Sequence, residues 1–211
     1  MTGAELERVF RLRFFDKVAD YFVKQDDFYL YLNEAQDEAA ERADLLFDKK
    51  SVTLAVGQTI YKPSDIITVI TSAYVGNNRL FITDRVELDR LDPDWRNAAS
   101  GDIRYLIHYD KQIELTPAPS QETTLQLEYF RLPKDPVTSD SEPEIHRANH
   151  VDLLDWVLYR AYNVPDPDTF NPQRAEQFLA KFTLRFGQRP SATLKKRQYS
   201  NVPQHNVVYM G

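Results

Sequence analysis

The sequence contains no cysteine, only four histidines and only six glycines among its 211 residues. Without cysteine, the chain cannot form disulfides, thiolate nucleophiles or cysteine-ligated zinc sites. It also has no Walker, Gly-x-Ser-x-Gly or dinucleotide-binding pattern. No stretch approaches the ~18 consecutive apolar residues of a membrane-spanning helix, and the charged N-terminus is unlike a signal peptide. We therefore expect a soluble protein that is made inside the cell.

Acidic residues outnumber basic ones, and the basic residues are unevenly placed. The formal net charge is −6. After Gly187 the chain has four basic residues and no acidic one, so the residues up to Gly187 carry −10, the difference between −6 and +4. A body with this charge repels nucleic-acid phosphates and gains little from non-specific binding to them.

The hydrophobic pattern changes from helical to strand periodicity and back. Helical spacing predicts one helix over 4–24 and a second from Asp26 or Asp27 to about 48. Strand signals follow, including a hairpin in which 104–109 and 112–115 flank Asp110 and Lys111. Helices return over about 145–163 and 172–186, with Asn171 as N-cap, Pro172 in the first position and Gly187 as the stop.

This order of elements predicts an α+β fold. Strands that are grouped together, without alternation with helices, are typical of an antiparallel sheet. We expect a helical bundle from both chain ends (1–50 and 141–187), an inserted antiparallel β unit (51–132) and an extended C-terminal arm (188–211). A segment rich in Pro, Ser and Asp, 133–143, is interpreted as a linker.

The candidate catalytic and metal-binding residues do not form a recognisable active-site or metal-site pattern. His146 and His150 are four residues apart, but a metal ion would need a third ligand. Acidic pairs such as Asp92 and Asp94 lie in turns, where aspartate is expected as a cap. We therefore predict no catalytic residue, no cofactor and no metal site. A small carboxylate hydrolase of the glycosidase type, using Asp92 and Asp94, stays open as an alternative.

Two surfaces each have a structural and a functional interpretation. The acidic side of the second predicted helix is either a solvated face or a surface past which a like-charged polymer slides. The C-terminal segment is either a disordered terminus or a docking arm, which we favour because it is basic and ends in apolar residues. The acids are Glu34, Asp37, Glu38, Glu41 and Asp44. The arm residues are Lys195, Lys196, Arg197, Tyr199, Val202, Val207, Val208 and Tyr209.

Six segments together resemble a known family. They are YLYLNEAQDEAAERADLLFD, VTLAVGQTIYKPSD, LDRLDPDWRNAASGDIRYLI, LQLEYFRLPKD, EPEIHRANHVDLLDWVLYRAY and DPDTFNPQRAEQFLAKFTLRFG, and they cover about residues 25 to 190. Their order and spacing resemble the head-to-tail adaptor proteins of tailed bacteriophages, also called connector or head-completion proteins. Each motif alone is degenerate, because caps and strand patterns recur widely.

The resemblance implies a structural role in the virion, at the head-tail junction, after synthesis in the cytoplasm of the host bacterium. Such adaptors form a homo-oligomeric ring of about twelve copies beneath the portal protein, and genomic DNA passes through without specific binding. The C-terminal arm would dock on the portal, and the acids of the second helix would line or flank the channel. Loops of the β unit would meet the tail or nozzle protein; the candidates are Gly76, Asn77, Asn78, Pro117 and Pro119. No membrane is implied. A monomeric regulatory binding module is the remaining alternative.

Overall fold

The computed structural model describes residues 1–109 and 111–191. The chain divides into two compact units: the helical unit, Met1–Leu46 with Arg131–Pro190, and the β unit, Phe47–Phe130. The described residues form five α-helices and two four-stranded sheets, which confirms the predicted mixture of helices and strands. The predicted arm from residue 192 onward lies outside the described residues.

The elements follow one another in the order helix, sheet, helix. In chain order they are α1 (Gly3–Phe14), α2 (Gln25–Ala43), β1 (Phe47–Leu54), β2 (Ile60–Tyr61), β3 (Ile67–Val75), β4 (Asn78–Arg79), β5 (Phe81–Thr83), α3 (Arg85–Leu91), β6 (Tyr105–His108), β7 (Ile113–Thr116), β8 (Thr123–Arg131), α4 (Leu153–Tyr162) and α5 (Pro172–Phe186). Short 3₁₀ helices cover Trp95–Asn97 and Arg147–Asn149. No helix among the described residues is both long and apolar enough to cross a membrane.

The first helix is shorter than the sequence predicts. It ends at Phe14 because Phe15 adopts a left-handed conformation with φ of 63°. The following loop is then held by Asp16, whose carboxylate accepts from Arg11 (2.7 Å) and from the backbone N–H of Val23 (3.3 Å). Because Arg11 and Asp16 are buried, this ion pair replaces the predicted continuation of the helix with a fixed loop.

The second helix also differs from the prediction at both ends. Lys24, rather than Asp26 or Asp27, occupies the N-cap position, and the helix ends at Ala43, followed by Asp44 with φ of 48°. The predicted extension to about residue 48 is wrong because the chain from Phe47 onward pairs with β8. Long-range strand pairing has overridden the local helical pattern here.

The segment expected to be a linker packs along the helical unit. Val137 is buried, and its backbone N–H donates to the side-chain oxygen of Asn33 on α2 (2.7 Å). Gly3 donates to the carbonyl of Ser141 (2.9 Å), and a Cβ at Gly3 would lie 2.1 Å from the carbonyl oxygen of Thr138. The close backbone approach therefore requires glycine. The predicted helix from about 145 begins only at Leu153.

The structure confirms the predicted caps of the last helix. The side chain of Asn171 accepts from the N–H of Arg174 (3.0 Å), Pro172 is in the first turn, and Gly187 follows with φ of 85°.

The core of the helical unit is rich in aromatic side chains. The ring centroids of Phe10 and Phe28 are 5.3 Å apart. Phe182 on α5 is likewise in contact with Trp156 on α4.

The β unit contains two sheets, with strand orders β1-β8-β3-β4 and β2-β7-β6-β5. β1 and β8 pair antiparallel, from Phe47 opposite Phe130 to Leu54 opposite Thr123. The predicted hairpin forms as antiparallel β6 and β7, with His108 opposite Ile113, although Asp110 of its turn lies outside the described residues.

One strand pair corrects the expectation of a wholly antiparallel unit. β5 and β6 pair in parallel. Parallel neighbours need a crossover of about a dozen residues or more, and the segment 84–104, which contains α3, supplies it. This crossover contains a short helix and a loop, with Trp95 buried and its indole N–H donating to Asp89 (2.7 Å).

The buried ion pair below α1 gives a stability prediction. Asp16→Ala leaves the buried Arg11 guanidinium with Glu7 as its remaining carboxylate partner and removes the acceptor of the Phe22 and Val23 N–H groups, so the free energy of unfolding should fall by about 1–3 kcal/mol. Urea denaturation of the full chain measures this change. Asp20→Ala removes an exposed partner of Lys24 in the same loop and should change stability little. Equal effects of the two substitutions would contradict the role assigned to Asp16.

Candidate functional site

The acidic side of α2 is a paired surface rather than a uniformly solvated one. Its acids recur at three- and four-residue spacing, so they lie on one side of the helix. Glu34 accepts from Arg160 on α4 and from the indole N–H of Trp156 (3.4 Å). The negative charge of Glu34 is therefore directed onto a neighbouring helix of the same unit.

The centre of this surface is Arg42, whose side chain is only 8% exposed. Its guanidinium binds the carboxylate of Glu38 at 2.8 Å and lies over the rings of Trp156 and Phe182, at 5.3 and 5.2 Å from their centroids. It also donates to the carbonyl of Gly187 (3.4 Å). One arginine on α2 thus contacts α4, α5 and the end of α5.

The start of the C-terminal segment returns to the same surface. Gly187 ends α5, and Arg189 then binds two acids of α2, Glu38 at 3.1 Å and Glu41 at 3.0 Å. Arg189 is 60% exposed, so each ion pair alone contributes little. Together with Arg42, the two pairs bring the first residues after α5 alongside α2. The predicted arm residues, from Lys195 to Tyr209, lie outside the described residues.

The remaining two acids of the stripe behave differently. Asp37 is exposed, and desolvation by its surroundings, followed by the negative charges of Glu38, Glu41 and Glu34, raises its pKa above the usual value. Asp44 is half-buried in the left-handed position after α2, where its N–H donates to the carbonyl of Ala40. Of the five predicted acids, Asp37 is the exposed one.

An open groove of about 580 Å³ lies on the β unit. It is lined by Lys49, Lys50, Ser51, Tyr74, Gly76, Asn77, Gln126, Leu127 and Glu128. Two of the predicted tail-facing residues, Gly76 and Asn77, therefore line it, and Asn78 beside them is exposed. Pro117 and Pro119 are buried, whereas Ser120 and Gln121 of the same loop are exposed.

The candidate catalytic and metal-binding residues occupy structural positions. Asp92 follows α3 as its C-cap, and Asp94 precedes the 3₁₀ turn at Trp95. The side chain of His146 accepts from a backbone N–H, whereas His150 is buried with Nε2 at 2.9 Å from the carbonyl of Ile145. Within 1–109 and 111–191, no group of three or more His, Asp or Glu side chains is arranged to hold a metal ion.

The family model described as SU10 adaptor protein matches residues 1–206. The chain belongs to the SU10 adaptor protein family. This is a family of phage head-to-tail adaptors, so the resemblance drawn from the six sequence segments is confirmed. The adaptor is accordingly a structural component of the phage, expected at the head-tail junction. No curated protein sequence matches it.

Sequence reasoning identified the acids of the adaptor but missed the arginines that bind them. Arg42 follows Glu38 by four residues, a spacing that favours an ion pair on a helix, so this contact was detectable. Arg160 and Arg189 are more than a hundred residues from their acidic partners. Only the packing of α4 and α5 against α2 brings them together.

Two neighbouring acids on α2 should respond oppositely to neutralisation. Glu38→Gln removes the carboxylate shared by Arg42 and Arg189, so the free energy of unfolding should fall by about 1–3 kcal/mol. Asp37→Asn removes a charge that the folded state disfavours, so it should stabilise the adaptor at about pH 7. The raised pKa means that the folded state binds the Asp37 proton more tightly than the unfolded state does. Near pH 3 the carboxyl is protonated in both states, so the gain in the free energy of unfolding from Asp37→Asn should vanish there.

Urea denaturation of the two variants at both pH values checks these outcomes, and each variant is the matched control of the other. Loss of stability in Asp37→Asn at neutral pH would show that Asp37 has a favourable partner. No effect of Glu38→Gln would show that the arginines do not depend on it.

Proposed function

We propose that the adaptor forms a closed ring between the portal protein and the tail or nozzle protein, with about twelve copies as the resemblance implies. The genome would pass through this ring without specific binding. The observation that carries the proposal is the family match over residues 1–206, which includes the helical unit, the β unit and most of the C-terminal segment. A net charge of −6 fits a wall past which DNA moves without adhering.

The C-terminal segment is the proposed portal-binding arm. The 20 residues from 192 to 211 reach about 70 Å when extended. Lys195, Lys196 and Arg197 would attract the arm to an acidic surface, and the apolar run from Val207 to Tyr209 would then be buried there. The ion pairs of Arg189 with α2 support this proposal, because they hold the start of the arm on the helical unit.

The groove of the β unit is the proposed contact for the tail or nozzle protein. Gly76 and Asn77 line it, and its remaining lining is mostly polar, typical of the rim of a wet interface. A channel-facing role for α2 would rest mainly on Asp37, because Glu34, Glu38 and Glu41 are bound by arginines.

Truncation tests the portal arm. A chain that ends at Ser191 keeps Arg189 and its ion pairs, so its circular dichroism should match that of the full chain. Its affinity for the cognate portal ring should fall at least about tenfold, measured by native mass spectrometry of both chains with the portal. Lys195→Ala, Lys196→Ala and Arg197→Ala combined should lower the association rate and its salt dependence.

The outcomes of the truncation separate the candidate functions. Global unfolding of the shortened chain would assign the tail to the core. If the full-length chain stays monomeric and does not bind the portal, the ring is wrong, and the regulatory binding module and the carboxylate hydrolase remain. Loss of activity on a cell-wall sugar in Asp92→Asn would then favour the hydrolase.

Filling the groove tests the tail contact. Ser51 on β1 lines the groove, so Ser51→Trp should lower the affinity for the tail or nozzle protein at least about tenfold and leave portal binding unchanged. Thr53 is exposed on the same strand and does not line the groove, so Thr53→Trp is the matched control. Equal binding of both variants to the tail protein would place that contact elsewhere.

A further inference from the structure

Two loops meet at one end of the helical unit. The ring centroids of Phe14, the last residue of α1, and Tyr162, the last residue of α4, are 4.8 Å apart. The loops 15–24 and 163–171 that follow these residues therefore start side by side. The second loop is anchored where the N–H of Asn171 donates to the carbonyl of Tyr162 (2.9 Å).

Both loops direct large apolar side chains outward. We name these side chains the loop surface; they are Phe15 (76% exposed), Val18 (77%), Phe22 (60%), Val164 (38%) and Phe170 (50%). With about 200 Å² for each aromatic side chain and less for each valine, they expose roughly 500 Å² of apolar area. A patch of this size is typical of a protein interaction site. The buried Asp16 accepts from the N–H of Phe22 (3.2 Å), so the first loop loses little freedom when a partner covers it.

The charges around the loop surface are predominantly acidic. The buried Asp16 is paired with Arg11, and Arg174 and Glu176 at the start of α5 cancel. The other charges of the two loops and of the first turn of α2 are two lysines and five aspartates, which sum to −3. They are Lys17, Lys24, Asp20, Asp26, Asp27, Asp166 and Asp168. A second loop surface would have the same sign, so the favoured partner is an uncharged or basic surface.

A separate surface of that kind runs along the outer side of α5. Gln177, Ala180 and Leu184 are exposed and uncharged, and their spacing of three and four residues puts them on one side of the helix. We name these three residues the α5 stripe. Leu184 is 89% exposed, the highest value for a large apolar side chain within 1–109 and 111–191. The cores of protein interfaces are depleted in charged residues, so an uncharged exposed stripe is typical of a contact surface.

The net charge beside the α5 stripe is positive. Lys181 and Arg185 flank it, and the second half of α5 contains no acidic residue. Arg185 lies 3.0 Å from the carboxylate of Asp152 on the preceding segment, and Asp155 is 3.9 Å from Arg13. These pairs leave a net charge of +1, that of Lys181. The α5 stripe and the loop surface are therefore opposite in sign.

We propose that the loop surface of one copy binds the α5 stripe of the next copy. This inference rests on the proposed ring and names one contact between its neighbours. Because the two surfaces differ, each copy uses one surface toward each neighbour, and such a heterologous contact builds a ring when its rotation closes. Leu184 would pack against Phe15 and Phe22, since aromatic side chains dominate the energy of contacts between proteins.

Two variants of the full chain each remove one half of the contact. Phe15→Ser combined with Phe22→Ser removes the loop surface, and Leu184→Glu adds an acid to the α5 stripe. Each should raise the concentration for half-assembly at least about tenfold. The circular dichroism should not change, because none of the three side chains is in the core. Val86→Glu is the matched control, since Val86 is 82% exposed in the β unit, and it should assemble like the original chain.

A mixture of the two variants separates a head-to-tail contact from self-pairing. Each variant keeps the half that the other lacks, so native mass spectrometry of the equimolar mixture should show mixed pairs and no larger assembly. Each variant alone should stay monomeric. Normal assembly of either variant would overturn the proposal, and so would pairs of Leu184→Glu with itself, because they would show that the loop surface binds another loop surface.

The absence of cysteine allows a second, independent measurement. Val18→Cys and Leu184→Cys are made as separate proteins, mixed in equal amounts and oxidised, alone and on the portal ring. A disulfide-linked pair of the two variants is expected, well above the yield from Val18→Cys alone or mixed with Val86→Cys. Equal yields would overturn the proposal. A chain that binds the portal at fixed stoichiometry without this cross-link refutes the contact alone, whereas a chain that neither associates nor binds the portal refutes the proposed ring as well.

Discussion

The helical unit is closed, at the point where the chain leaves it and returns, by a backbone hydrogen bond and a buried arginine. The backbone N–H of Arg131 donates to the carbonyl of Leu46 (3.0 Å), so the two ends of the intervening β unit are held together. The hydrogen bonds between β1 and β8 continue from this point and offset the entropy lost when the ends of the β unit are brought together. The buried guanidinium of Arg131 also binds Glu144, and this contact lowers the pKa of Glu144. The N–H of Glu144 in turn donates to Gln36 on α2. The returning chain is thereby fixed against the first half of the unit.

Arginines paired with carboxylates recur at several places where separate parts of the helical unit meet. Arg11 holds the loop after α1, Arg131 holds the returning chain, and Arg42 joins α2 to α4 and α5. Part of the negative charge of the adaptor is therefore internal and neutralised, and does not contribute to its surface potential. The proposed contacts for partners are the start of the C-terminal arm and the groove of the β unit, which suits a protein that connects other proteins.

Local signals predicted the elements that depend on local chemistry. The caps of α5, Asn171 and Gly187, are short-range hydrogen-bonding and conformational devices, and the structure confirms them. The hairpin of β6 and β7 follows from alternation over a few residues. The early end of α1 at Phe14 was missed because it depends on burial of Asp16 against Arg11. The parallel pairing of β5 with β6 was missed because it depends on where the crossover 84–104 returns.

The sequence by itself determined the adaptor family, because the order and spacing of six degenerate segments are preserved along the chain whatever their packing. It also determined that the acids of α2 share one side of a helix, since that follows from helical geometry. Only the tertiary structure decided that Arg160 and Arg189 bind those acids, that Pro117 is buried, and that two apolar loops lie side by side. These are contacts between residues far apart in the chain, and no local pattern encodes them.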